Sequence, residues 1–253
     1  MRRFILLLAS IILAVGSLYA ADLLEELGLR KSGNSAALNA LSQDEVISAL
    51  KEALAKGVQH AITNLGRTNG FLQDATVRVP VPESLRPVER GLRAIGQSHL
   101  VDEFEISMNR AAERAVPEAA IVLADAIRQM TIADAKSIVT STNAAATDYF
   151  RRTESTNLYE RLLPIVKKST EEIGVTSAYK RMLEKIDSNR FDGLSALGGL
   201  LSKNKTLDLD SYVTQKALDG LFLKIAEQEK LIRENPAART TELLERVFGA
   251  FRR

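Results

Sequence analysis

The chain has 253 residues, 26% charged and 45% hydrophobic, with 34 basic against 32 acidic side chains and no cysteine. That composition excludes disulfides, thiol catalysis, thiolate metal sites and lipid attachment through an N-terminal cysteine. The near-balanced charge excludes a global field that would draw in nucleic acid or an anionic membrane surface, and the length is ample for a packed core.

Arg2 and Arg3 precede an apolar run over residues 4–15, broken only by Ser10; Gly16 and Ser17 then lead to Ala20 and Ala21. A cationic start, a short apolar middle and a small-residue exit are the parts of a secretory signal peptide. The expectation is cleavage between Ala20 and Ala21 and a protein exported to the periplasm. A membrane-spanning helix needs about 20 apolar residues. The run is too short for that unless it continues to Tyr19 as an uncleaved anchor, which would be the chain's one contact with the membrane. Removal of Arg2 and Arg3 leaves 32 basic against 32 acidic side chains, a formally neutral mature protein.

Residues 21–41 read as a short amphipathic piece and a polar linker, and 42–253 as the folded body. Ser42 with Glu45 forms a capping box, after which Val46, Leu50, Leu54, Val58, Ile62 and Leu65 recur at helical spacing until Gly66. Residues 67–84 are the long non-helical stretch. It holds the turn signal Asn69-Gly70 and then ATVRVPVP over 75–82. Pro80 and Pro82 lack amide donors and bias Val79 and Val81 toward extended backbone. The pattern predicts an extended crossover lying on helices, with an edge strand open to a partner as the alternative.

Helices are predicted from Leu85 to Gly96, from a Ser98 cap through Ala112, and from Pro117 through Met130. Another begins at Thr131, where Asp134 completes a second capping box. Small residues over 141–147 make a candidate hinge, with Thr147 capping the turn that begins at Asp148. Next come a helix over 158–173 kinked at Pro164 and stopped by Gly174, a helix over 175–186, and a loose stretch over 187–207. The longest helix is predicted over 210–234, broken by Pro236, before a closing helix over 242–251. No fixed-period repeat is present. The fold class is therefore all-α, a single domain of about eight to ten helices with one proline-rich extended crossover.

Candidate chemistry is sparse. His60 and His99 are the only histidines, and the positions three before them are Gly57 and Gly96, so neither a di-iron bundle nor a zinc helix signature is present. No metal or cofactor is expected. Ser98 and Ser195 each lack the second glycine of a hydrolase elbow. Glu105 is the candidate catalytic group. It lies among Asp102, Glu103, Glu113, Glu118 and Asp125 on consecutive helices, and paired acids serve glycoside hydrolysis. The alternative is a solvated face with local ion pairs.

Asn109 shares a helical face with Glu105, and Arg110 lies beside them. Tyr149 and Arg151 follow the small-residue stretch at a helix start, where an anion could be held, although Asp148 opposes this. Gly220 sits mid-helix at a cost of about 1 kcal/mol against alanine, which asks for a closely approaching helix. Asp219 beside it is a candidate buried partner for Tyr149 or Arg151. The candidate ligand-binding residues are thus Asn109, Arg110, Tyr149, Arg151 and Asp219.

Several strings resemble a bacterial family known as domain of unknown function 4197. They are GRTNGFL at 66–72, VRVPVPESL at 77–85, LVDEFEISMNRAAE at 100–113 and TDYFR at 147–151, with YVTQKALDGLF at 212–222 and NPAARTT at 235–241. Together they run in order through 42–249. The resemblance implies an exported helical protein and brings no catalytic residue, cofactor or partner with it. The functional expectation is a non-enzymatic binding or envelope-associated structural module. Its partner would be an envelope protein or a small apolar ligand. A hydrolase of cell-wall polymer and a carrier of lipid are the alternatives.

Overall fold

Leu50, Leu54, Ile62 and Leu65 fall on one stripe and are all buried, so the first amphipathic segment forms a helix, α1 (Gln43–Gly66), that lies on the core. The computed structural model describes residues 43–141, 144–188 and 207–238, with Thr241 and Glu245. The leader with its Ala20–Ala21 junction, the 21–41 linker, Ser42, most of 187–207 and most of 242–251 lie outside the described residues, as do positions 142 and 143 of the small-residue stretch.

The remaining helices are α2 (Arg86–Ala94), α3 (Ser98–Ala115), α4 (Ala119–Gln129), α5 (Ile132–Thr140), α6 (Ala145–Ile173), α7 (Val175–Ser188) and α8 (Leu209–Glu234). Single 3-10 turns at Glu83–Leu85, Val116–Glu118 and Pro236–Ala238 make short connections, and the described residues contain no strand. The fold is all-α. At its centre α8 packs on α6, α1 and α3, while α3 also packs on α6 and α7. Phe71, Phe104, Phe150 and Phe222 are buried where these helices and the crossover meet. Each such side chain contributes about 1.5–3 kcal/mol by leaving water. No described helix is long and apolar enough to cross a membrane.

The ends follow local chemistry. Thr131 Oγ1 accepts from the Asp134 amide at 3.1 Å, and Asp134 Oδ2 accepts from the Thr131 amide at 3.2 Å, so the predicted capping box starts α5. Gly174 closes α6 at φ 82°, a left-handed conformation that glycine adopts without a Cβ clash. Three expectations are corrected. Gln97, not Ser98, occupies the cap position of α3. Ala144, at φ 71°, precedes α6, so Thr147 lies inside its first turn rather than capping it. With 29 residues α6 is longer than α8 with 26, because the turn at Asp148 and the helix expected over 158–173 form one continuous helix from Ala145.

The crossover runs from α1 to α2 with Val77, Val79 and Val81 all turned inward and buried. Alternation is therefore read by the helical core on one side, as a strand's would be by a sheet.

Candidate functional site

Asn109 is fully buried on α3 and holds the crossover. Its Oδ1 accepts from the Val79 amide at 2.9 Å, and its Nδ2 donates to the Val79 carbonyl at 2.9 Å and to the Glu105 carbonyl at 2.8 Å. A primary amide carries a donor and an acceptor side by side, so it supplies the pair of bonds a neighbouring strand would have given. The hydroxyl of Tyr212 donates to the Pro80 carbonyl at 3.0 Å. The central backbone groups of the segment are thus taken, which supports the crossover rather than the open strand.

Arg110, the next residue, has a similar task. Its Nη1 donates to Glu113 Oε2 at 2.6 Å and its Nη2 to Asn69 Oδ1 at 2.7 Å. Buried Glu113 in turn accepts from the amides of Phe71 and Leu72 at 3.1 and 3.3 Å through Oε1. Asn69 sits at φ 68°, so a charged pair fixes a turn in left-handed backbone. Asn109 and Arg110, expected as ligand-binding groups, have their polar atoms engaged by the fold.

The sequence reading missed Glu229. It is buried on α8 and reaches the start of α6, where Oε1 accepts from the Ala146 amide and Oε2 from the Thr147 amide, both at 3.1 Å. Arg233 Nη2, 2.9 Å from Oε1, also donates to the Ile138 carbonyl at 2.9 Å. Two otherwise unpaired helix-end amides thus receive a carboxylate supplied from another helix. A signal was available: Glu229 lies between Ile225 and Ile232 on the apolar face of α8, where a charge must have a partner.

Glu105 is half-buried on α3, with Oε1 3.9 Å from Arg78 Nη1. Burial raises its carboxyl above the usual range; Arg78 and Arg93 oppose the rise, and Glu89 and Asp102 add to it. Arg93 joins those two acids, to Glu89 at 3.1 Å and to Asp102 at 2.9 Å. The acids nearest Glu105 are therefore drawn into an ion network.

The crossover, the start of α6 and the middle of α8 enclose an open groove of about 540 Å³. Arg78 and Pro80 line it from the crossover, Thr147 and Arg151 from α6, and Asp219 and Phe222 from α8. Arg151 and Asp219 are thus brought to one place. Asp219 is not a buried partner of Arg151 or Tyr149: it is half-exposed and meets Gln215 Nε2 at 3.2 Å and Lys216 Nζ at 3.8 Å on its own helix. Tyr149 lines a neighbouring polar hollow of about 290 Å³ with Asp134 and Arg152. Burial raises its phenol, with Asp134 and Glu154 adding and Arg152 opposing. Gly220 forms part of the groove floor, and a Cβ there would lie 2.8 Å from Phe71 Cε1 and 3.2 Å from Val77 Cβ. The close neighbour is the crossover, not a helix as expected. Among the described residues no group of three or more histidine or acidic side chains is placed to hold a metal ion.

The architecture is that of an all-helical domain with a groove built on three clamped segments. The family described as "Protein of unknown function (DUF4197)" has a model that matches residues 40–249, and the chain belongs to that family. No curated protein and no solved structure matches the chain. Three of the strings that carry the family resemblance, VRVPVPESL, TDYFR and YVTQKALDGLF, converge on the groove although they are far apart in sequence.

Proposed function

We propose that the protein is an exported, non-enzymatic binding module whose ligand seats in the groove between the crossover, the start of α6 and α8. One observation carries this reading: the walls are fastened by side chains of the fold itself. Asn109 fastens Val79, Glu229 fastens Ala146 and Thr147, and Gly220 lets the crossover lie against α8. Groups held this firmly lose little entropy when a ligand arrives, which is what a binding surface needs. The volume falls within the range of small-molecule sites, about 300–1,000 Å³.

The test is a fragment titration of ¹⁵N-labelled protein. Amide shifts clustered at Thr76, Thr147, Gly220 and Leu223 support the module; shifts scattered over the surface, or absent, reject it. Export is supported by Arg2, Arg3 and the apolar run after them. Cell fractionation with N-terminal sequencing should find periplasmic protein beginning at Ala21, and cytosolic protein with Met1 retained rejects it.

A second reading, hydrolysis of cell-wall polymer, draws on Glu105, a half-buried carboxyl that burial shifts upward, the direction a general acid needs. Turnover of a polymer substrate unchanged in Glu105→Ala would reject it.

A further inference from the structure

We infer that the groove takes a monoanionic amphiphile, its carboxylate or phosphodiester gripped by Arg151 and its apolar body laid along Leu223 and Pro80. This rests on the groove being the binding site and adds the class of ligand.

Arg151 lies with its guanidinium carbon 4.7 Å from the centre of the Phe222 ring, and Phe222 is only 2% exposed. A guanidinium resting over a buried ring is restricted in position and keeps its N–H donors available to a ligand. A planar fork held in this way matches the two oxygens of a carboxylate or phosphate. Among the described residues the Arg151 side chain makes no hydrogen bond and no ion pair. Several other arginines in the fold are committed. Arg110 is held by Glu113 and Asn69, and Arg93 by Glu89 and Asp102. Within the groove itself, Arg78 Nε donates to the Leu72 carbonyl at 2.7 Å, and Lys216 is 3.8 Å from Asp219. Among the described residues Arg151 is therefore the lining cation whose side chain has neither a hydrogen bond nor an ion pair.

Two acids set the charge of the ligand. Asp148 and Asp219 also line the groove. Against Arg78, Arg151 and Lys216 they leave the lining with one net positive charge, which balances a single headgroup charge and disfavours a polyanion. The apolar requirement comes from the rest of the lining. Leu223 is 39% exposed beside the stacked ring, and covering it and Pro80 is favourable only for an apolar body.

The experiment is calorimetric titration of the purified protein with decanoate, decyl methyl phosphate (a monoanionic diester), decanol and decyltrimethylammonium. The wild type should bind one or both anions at least tenfold more tightly than the alcohol and the cation. Whichever anion binds better identifies the headgroup as carboxylate or phosphodiester. Arg151→Ala should weaken the anions about ten- to a hundredfold, the loss of one charge-assisted pair. Arg151→Lys should recover only part of that, because it keeps the charge and loses the fork. Arg151 is exposed but rests on Phe222, so Arg151→Ala should lower the melting midpoint slightly and both variants should stay folded at the titration temperature, which melting curves recorded alongside check. Equal affinity for anion and cation, no binding of either anion, or affinities in Arg151→Ala within twofold of wild type would overturn the inference. If fragments still map to the groove in that case, the binding module stands and only its anion preference falls.

Discussion

Glu229 and Thr147, separated by 82 residues, meet through two hydrogen bonds: the Thr147 amide and hydroxyl both donate to Glu229 Oε2, at 3.1 and 3.0 Å. The side chain that starts α6 thus comes from α8, and the bond ties one wall of the groove to another. Replacing Glu229 by alanine strips two amides of their acceptor and removes the carboxylate facing Arg233. Its cost should be about 3–5 kcal/mol in chemical denaturation. Glu229→Gln should cost less, since its remaining oxygen still accepts. Hydrogen exchange should accelerate at Ala146 and Thr147 in both variants before it does at Phe104.

Asn109 offers a sharper comparison. Asn109→Leu fills similar space but leaves the buried amide and carbonyl of Val79 without partners, and stability should fall by about 2–4 kcal/mol. Asn109→Asp keeps an acceptor for the Val79 amide but sets a carboxylate against the carbonyls of Val79 and Glu105. Its stability loss should shrink as pH falls and the carboxyl gains a proton to donate. A pH-independent loss would contradict the geometry.

Two mid-helix glycines should respond to alanine with opposite signs. At Gly57 a Cβ would meet only Gln228 Cβ at 3.4 Å, so Gly57→Ala should stabilise by up to about 1 kcal/mol through helix propensity. At Gly220 the same Cβ lies 2.8 Å from the Phe71 ring, and Gly220→Ala should destabilise by about 1–3 kcal/mol as the crossover is pushed away. Paired melting curves check both.

Acid should find Asp74. Burial pushes its carboxyl up, but the hydrogen bonds from Lys224 and from the Thr76 hydroxyl and amide outweigh this and hold it at about 2, below the ordinary 3.8. A depressed carboxyl contributes stability that is complete above the unfolded value and is lost as pH falls through the folded one. Between about pH 4 and 2 the wild type should therefore lose stability more steeply than Asp74→Asn. Lys224 is shifted upward: burial opposes, and Asp74 and Glu227 prevail. Its contribution is present at neutral pH and declines only as the solution becomes strongly alkaline. Equal acid slopes for wild type and Asp74→Asn would remove Asp74 from this role.

Features made within one turn of chain were legible in the sequence. Thr131 and Asp134 announce their helix because both halves of the box lie three residues apart, and Gly174 announces a stop because left-handed backbone is a local property. Asn109 and Arg110 were recognisable as polar groups with something to do, but their partners, Val79 and Asn69, lie 30 and 41 residues away, and a local pattern carries no such address. The strain at Gly220 was read correctly as a close approach, while the approaching group is an aromatic ring from an irregular segment that periodicity does not describe. Arg151 and Asp219 do share a groove, whereas Tyr149 turns to the adjoining hollow, a difference decided by the rotation of α6.

A valine-rich extended segment is ordinarily a template: its unspent backbone groups invite a second copy to add a strand, and copies stacked this way grow into fibrils. The amide and carbonyl of Val79 are already consumed by one side chain, the Pro80 carbonyl receives a tyrosine hydroxyl, and residues 80 and 82 have no amide to donate. The molecule thereby carries β-prone sequence inside a helical body with its central pairing groups already spent. Loss of Asn109 would endanger colloidal behaviour at high concentration as well as thermal stability.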